Sequence, residues 1–347
     1  MSARVLIVDD SAAMRAMLGS ILSADPGLEV VGCAAEPNEA REMIRTLEPD
    51  VITLDVEMPG MDGLTFLERI MRLRPMPVVM CSTLTARGTA VAIEALRLGA
   101  VECIAKPSGR AAELIPQAEQ LCRTVREAAG SRVRQRSAAA TAPAAPAPGV
   151  SGTLRQDMVI VVGASTGGVE ALFTFLGSLP ADCPPVVVVQ HMPAGFTAGF
   201  ADRLDGAVPM RVRHGVDRHP LRPGEVLIAP GGETHAELVT VGALQLRLVP
   251  GELHGGHRPA VDRLFASAVP LGKRAICVLL TGMGRDGAEG MLALRTAGAT
   301  TFAQSGDSCV VHGMPRAAVE LGAAGAEVSL ARMAQAVLGA CRLTGRR

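Results

Sequence analysis

The chain contains no tryptophan and no tyrosine, and its only aromatic side chains besides histidine are seven phenylalanines in 347 residues. The basic stretch "RVRQR" at 132–136 therefore has no stacking side chains beside it, and nucleic-acid platforms need them. It reads as the solvated end of a helix. Net charge is lacking too: Lys+Arg and Asp+Glu number 34 each, which removes bulk attraction to nucleic acid or to a membrane surface. The eight cysteines form no C-x-x-C pair and no regular spacing. Cys81, Cys103 and Cys277 stand in apolar runs, where a free thiol packs as a small hydrophobe, so a reduced chain without disulfides is expected. No apolar run reaches the roughly 18–20 residues of a membrane span. The opening "MSARVLIVDD" reads as a strand ending in acids, not as a signal peptide. A cytoplasmic protein without membrane insertion is expected.

What is present is an ordinary globular composition, 48% hydrophobic and 20% charged, with length enough for two domains of about 100–200 residues each. The Ala/Pro-rich segment "SAAATAPAAPAPGVSG", 137–152, cannot build a core and reads as an extended linker. It predicts domains over 1–130 and 155–347, joined by 131–154.

In the first segment, apolar runs ("RVLIVDD", "LEVVGCA", "VITLDVEM", "PVVMCST", "AVECIAKP") alternate with helical patterns near 38–48, 64–74, 87–98 and 111–129. Ser11 is placed to cap the first helix, where Met14, Met17, Leu18, Ile21 and Leu22 recur at helical spacing. Five such units predict a small doubly wound parallel sheet. Asp9, Asp10, Asp55 and Lys106 would then meet at the carboxyl ends of the strands. Carboxylates crowded there repel one another unless a cation sits among them, and a hard ion such as Mg²⁺ meets that need.

These residues, with "LDVEMPGMDG", the Ser82–Thr83 pair and Lys106-Pro107, resemble a response-regulator receiver domain over residues 3–125. The resemblance implies that Asp55 accepts a phosphoryl group from a histidine kinase of the CheA type. It implies that Asp10, Asp55 and the Glu57 carbonyl ligate Mg²⁺, with Asp9 assisting. Lys106 would pair with phosphoryl oxygens, and Ser82, or second Thr83, would be the switch hydroxyl. Cys103 stands where the family often has an aromatic switch residue, which leaves the signal route open.

The second segment repeats the grammar with "MVIVVGAS", "PVVVVQHM", "GEVLIAPGG" and "AICVLLTGMG", and inserts a hairpin, "AELVTVGALQLRLV", turning at Gly242. Gly163-Ala164-Ser165-Thr166-Gly167 fits the G-x-S-x-G nucleophile elbow between a strand and a helix. Tight Gly/Ser turns are common, so the pattern alone is weak. A P-loop lysine and a dinucleotide G-x-G-x-x-G are both missing. A serine nucleophile needs a base and a carboxylate that orients it. His191 with Asp286 offers one set; Asp286 with His312, in α/β-hydrolase order, offers another. His214, His219 and His235 read as structural. His254 and His257 in "HGGH" have metal-like spacing, but no acid or cysteine cluster converges on them in sequence.

The motifs "GASTGG", "QHMPAGFTAGFADRLD", "PGEVLIAPG", "GHRPAVDRLF", "LLTGMGRDGAEGM" and "CVVHGMPRAA" resemble the catalytic domain of the CheB family of chemotaxis protein-glutamate methylesterases over 155–345. The full architecture implied is two doubly wound parallel-sheet α/β domains, a flavodoxin-like receiver and a Rossmann-like methylesterase domain with an antiparallel hairpin. By the same resemblance Ser165 is the nucleophile, His191 the base and Asp286 the orienting acid. The Met283 amide and Thr166 would form the oxyanion hole, and His312 falls where the family usually carries an aromatic residue. The implied activity is demethylation of glutamate methyl esters on chemoreceptor helices, with deamidation of receptor glutamines. It needs no cofactor in the catalytic domain, and the receiver covers the catalytic face until phosphorylated. A monomer is expected. Two other classes are a phosphorylation-dependent binding module with a vestigial triad and a receiver-controlled transcription factor. The α/β grammar of the second segment disfavours the latter.

Overall fold

A computed structural model of the chain describes residues 2–58, 62–82, 86–107, 111–131, 133 and 154–342. The expected linker stretch and Thr83 fall largely or wholly outside them. The chain divides into two compact units, residues 1–138 and 139–347.

The first unit alternates β1 (Ala3–Val8), α1 (Ala12–Ser23), β2 (Leu28–Ala34), α2 (Pro37–Leu47), β3 (Val51–Asp55), α3 (Gly63–Leu73), β4 (Val78–Ser82), α4 (Ala86–Leu98), β5 (Glu102–Ala105) and α5 (Ala111–Ala129). The strands form one parallel sheet in the order β2-β1-β3-β4-β5. Strands β3 and β4 are buried along their whole length, as continuous apolar runs in a sheet covered on both faces should be. Ser11 caps α1, its Oγ accepting the Met14 amide at 3.3 Å. The strand order reverses between β1 and β3, so the crevice opens where Asp9, Asp10 and Asp55 emerge.

The second unit begins with β6 (Val159–Ala164), α6 (Gly168–Gly177), β7 (Val186–Gln190), α7 (Ala194–Asp205), β8 (Arg211–His214), β9 (His219–Pro220) and β10 (Glu225–Ile228). An antiparallel pair, β11 (Thr234–Val241) and β12 (Ala243–Pro250), interrupts the alternation. After it come α8 (Val261–Ala268), β13 (Ala275–Leu279), α9 (Ala288–Thr296), β14 (Thr300–Gln304), α10 (Met314–Glu320), β15 (Ala326–Val328) and α11 (Leu330–Ala340).

Seven strands make a parallel sheet ordered β15-β14-β13-β6-β7-β10-β8. The hairpin turns at Gly242, as its sequence predicts, and φ there is +71°, a conformation that favours glycine. Strand β9 adds a third member to that antiparallel sheet. One face of the large sheet, through Val159, Val161, Val187, Cys277 and Leu279, packs on Leu264, Phe265 and Met291 from α8 and α9. All eight cysteines are free, and seven are buried.

Phe265 is fully buried at the centre of that layer. Phe265→Ala is expected to cost about 3–5 kcal/mol, read as a fall in the urea midpoint of unfolding.

Candidate active site

Strand β6 lies between β13 and β7, and this is where the order of the large sheet reverses. Ser165 follows β6, His191 follows β7, and Asp286 sits in the turn after β13. Three neighbouring strand ends thus deliver the three side chains to one edge, the usual ligand crevice of a doubly wound sheet. The serine's backbone is fixed from both sides. Its amide donates to Thr281 O at 3.0 Å, and its carbonyl accepts Gly168 N at 2.7 Å. The Gln190 amide group donates to the carbonyls of Ser165 and His191, each at 2.9 Å, locking the ends of β6 and β7 together.

Two glycines are required by the space around the serine. Gly167 is the N-cap of α6 at φ +75°, and a Cβ there would lie 2.5 Å from Val310 Cβ. A Cβ on Gly282 would come within 2.7 Å of Ser165 Cβ. The elbow is therefore as tight as its sequence predicts.

His191 Nε2 lies 2.8 Å from Asp286 Oδ2. The same carboxylate accepts the Val261 amide at 2.7 Å on Oδ2 and the Asp262 amide at 2.9 Å on Oδ1. These are the first two amides of α8, whose N-cap, Ala260, has no side chain able to cap it. Asp286 thus serves as a helix cap supplied from elsewhere in the chain, answering orphan donors with charge at the positive end of the helix dipole. Burial alone would raise this carboxyl; the His191 bond and the amides hold it down at about 2. An ionised carboxylate only accepts. Nε2 of His191 therefore carries the proton in this pair, and Nδ1, buried without a hydrogen-bond partner, is the basic nitrogen.

His312 takes no part in the pair. Its Nε2 faces Glu327 Oε1 at 3.6 Å, while both oxygens of Asp286 are engaged by His191 and α8. The other histidines have structural partners: Thr197 for His214 at 3.0 Å, Glu225 for His219 at 2.9 Å, and Glu252 O and Ala260 N for His235. His254 and His257 pair through their backbones. The His257 ring stacks on His191, a contact for which the sequence carries no signal. Met283 lies in the turn that presses Gly282 against the serine, and it is 38% exposed. The Thr166 carbonyl accepts the Thr281 hydroxyl at 3.0 Å.

In the first unit, Lys106 Nζ bridges Asp9 Oδ2 at 2.9 Å and Asp55 Oδ2 at 2.8 Å. Asp9, Asp55 and Ser82 are buried, whereas Asp10 is exposed. Burial raises the Asp55 carboxyl, with Lys106 opposing; for Lys106, burial is outweighed by its two carboxylate partners and its pKa is raised. Glu57 donates its amide to Asp55 Oδ1 at 3.2 Å. Oxygens of Asp9, Asp10 and Asp55 come within 4.8 Å of one another. Three hard oxygen donors with one lysine leave unbalanced negative charge, a donor set that fits a Mg²⁺-type ion.

Fold and site together define two doubly wound α/β units, one with a carboxylate–lysine crevice and one with a serine elbow beside a buried His–Asp pair. Residues 5–118 match the model of the response regulator receiver domain and residues 160–337 that of the CheB methylesterase. A protein of Caulobacter vibrioides named protein-glutamate methylesterase/protein-glutamine glutaminase 1 is 50% identical, covering 96% of this chain and 97% of that protein. One of the same name from Dechloromonas aromatica is 49% identical over 97% and 98%. The solved catalytic domain of Thermotoga maritima CheB methylesterase is 35% identical with a TM-score of 0.51, covering 55% of this chain and 99% of that one. The chain belongs to the CheB methylesterase family and carries a response-regulator receiver domain. Among the described residues, no helix is long and apolar enough to cross a membrane.

The low pKa of Asp286 makes a signed prediction. A carboxyl held at about 2 against an ordinary 3.8 contributes about 2 kcal/mol of stability. That contribution is complete above the unfolded value, near pH 4, and is lost as pH falls through the folded value. Urea titrations of the wild type at descending pH should show this loss, and Asp286→Asn should flatten it.

Proposed function

We propose that this chain hydrolyses glutamate methyl esters on chemoreceptor helices, releasing methanol, and deamidates receptor glutamines by the same route. The observation that carries the reading is the His191–Asp286 pair at 2.8 Å on the strand ends flanking Ser165. The names of relatives about half identical over nearly the whole chain support it.

In the proposed reaction the Ser165 hydroxyl attacks the side-chain carbonyl while His191 Nδ1 takes its proton. Asp286 keeps the proton on Nε2 and stabilises the imidazolium that forms. The tetrahedral oxyanion is met by backbone donors of the Met283 turn, with Thr166 beside them. Methanol, or ammonia from a glutamine, leaves with the proton from His191. Water, deprotonated by the same nitrogen, then hydrolyses the glutamyl ester on Ser165.

The receiver unit supplies control. Asp55 is the proposed phosphoryl acceptor, with a histidine kinase of the CheA type as donor. Asp9, Asp10, Asp55 and the Glu57 carbonyl would hold Mg²⁺, which neutralises charge on the transferring phosphoryl group. Lys106, now shared between Asp9 and Asp55, would turn to the phosphoryl oxygens. Ser82 is the proposed switch hydroxyl, and Thr83 lies outside the described residues. Added charge at Asp55 would then shift the activity of the second unit.

Methanol release from a methylated receptor fragment, with and without acetyl phosphate, tests both halves. Ser165→Ala should lower release by at least about a thousandfold while circular dichroism stays that of the wild type; retained release sinks the nucleophile. Asp55→Asn should keep unstimulated release and lose the response to acetyl phosphate. Stimulation that persists in this variant removes Asp55 as the acceptor.

A further inference from the structure

The "HGGH" segment has no place in the reaction so far, yet it touches the site's most sensitive member. The rings of His191 and His257 are stacked, with centroids 3.7 Å apart and planes 6° from parallel. We infer that His257 is a positioning residue for His191, holding the plane of the imidazole and with it the direction of Nδ1. This inference rests on the reading of Ser165, His191 and Asp286 as the catalytic set.

The need for such a device follows from the bonding of His191. Its one side-chain hydrogen bond, Nε2 to Asp286, fixes a point on the ring. It leaves the ring free to swing about that contact, and the terminal torsion of histidine has a broad, shallow preference. Nδ1 makes no bond of its own to resist the swing. A flat surface against one face of the ring removes this freedom without occupying either nitrogen.

His257 is itself well held. Its backbone exchanges two hydrogen bonds with His254, at 3.0 and 3.1 Å. Arg258, the next residue, donates to Gly232 O at 2.6 Å and to Gly251 O at 2.8 Å. Three residues further on, the Val261 and Asp262 amides grip Asp286. One short run, 257–262, therefore fixes the face of the base and the carboxylate that orients it.

The test compares three replacements in the full-length chain. His257→Phe keeps a flat ring, His257→Leu fills the space without one, and His257→Ala removes the contact. The readouts are kcat and KM for methanol release from a methylated receptor fragment, and the rate at which phenylmethanesulfonyl fluoride labels Ser165. Displacing a catalytic group by about 1 Å can cost about a hundredfold. The Leu and Ala variants should therefore lose kcat and labelling rate by roughly that factor with KM little changed, and Phe should recover most of both. Equal rates in the Phe and Leu variants would overturn the inference, whether both are fast or both slow. Thermal melting of each variant identifies a folding defect, and the Phe–Leu comparison decides the matter even if the Ala variant does not fold. Ser165→Ala is the separate control. If it still releases methanol, the reading of the active site fails; if it is inactive while Leu matches Phe, only the positioning role fails.

Discussion

The second unit is organised around one buried carboxylate at the end of its central strands. Asp286 is 6% exposed, and a carboxylate so placed is tolerated only when its oxygens are answered by directed donors. Here one imidazole and two helix amides answer it. The helix gains from this as much as the histidine does, because α8 has no capping side chain of its own at Ala260. One carboxylate thereby sets the tautomer of His191 and anchors the helix that packs beneath the sheet. Stability and reactivity share one group.

The crevice of the first unit solves a similar electrostatic problem by other means. Asp9 and Asp55 are also buried at strand ends where the order reverses, but there the compensating charge is the ammonium of Lys106. A lysine on a flexible stem can leave its partners when a better ligand for the site arrives, whereas amides of a helix cannot. The first arrangement suits a site that changes charge state. The second suits one whose charge stays fixed.

Much of this was legible in the sequence, and the reasons differ by element. Strands β1, β3, β4, β6, β7 and β13 are apolar runs ended by acids, serine, histidine or, after β13, threonine, and both parallel sheets followed from them. Strands β8 and β15 gave no such signal: "RVRH" buries only Val212, and Ala326–Val328 is three mostly exposed residues. They lie at the edges of the sheet, where little apolar surface is demanded. Strand β14 is mostly buried yet opens on two threonines, which hid it. The serine elbow showed itself through its glycines. Chain order alone left His191 and His312 as rivals, because the difference lies in which histidine reaches an oxygen of Asp286. His257 was misleading, since its spacing from His254 looks like ligation while its contact is a ring face that only tertiary structure creates.

The order of the strands has a consequence for how the site comes into being. Ser165 and His191 stand on strands joined by one helix, and that unit can form locally. Asp286 follows β13, which pairs with β6 across a sequence gap spanning the entire hairpin insertion. Closing such a long loop is entropically costly and comes late when contacts of short range form first. A chain whose sheet is half assembled would thus hold a serine and a histidine with nothing to orient them. Ser165, His191 and Asp286 are brought to one edge only when the large sheet is joined across its middle.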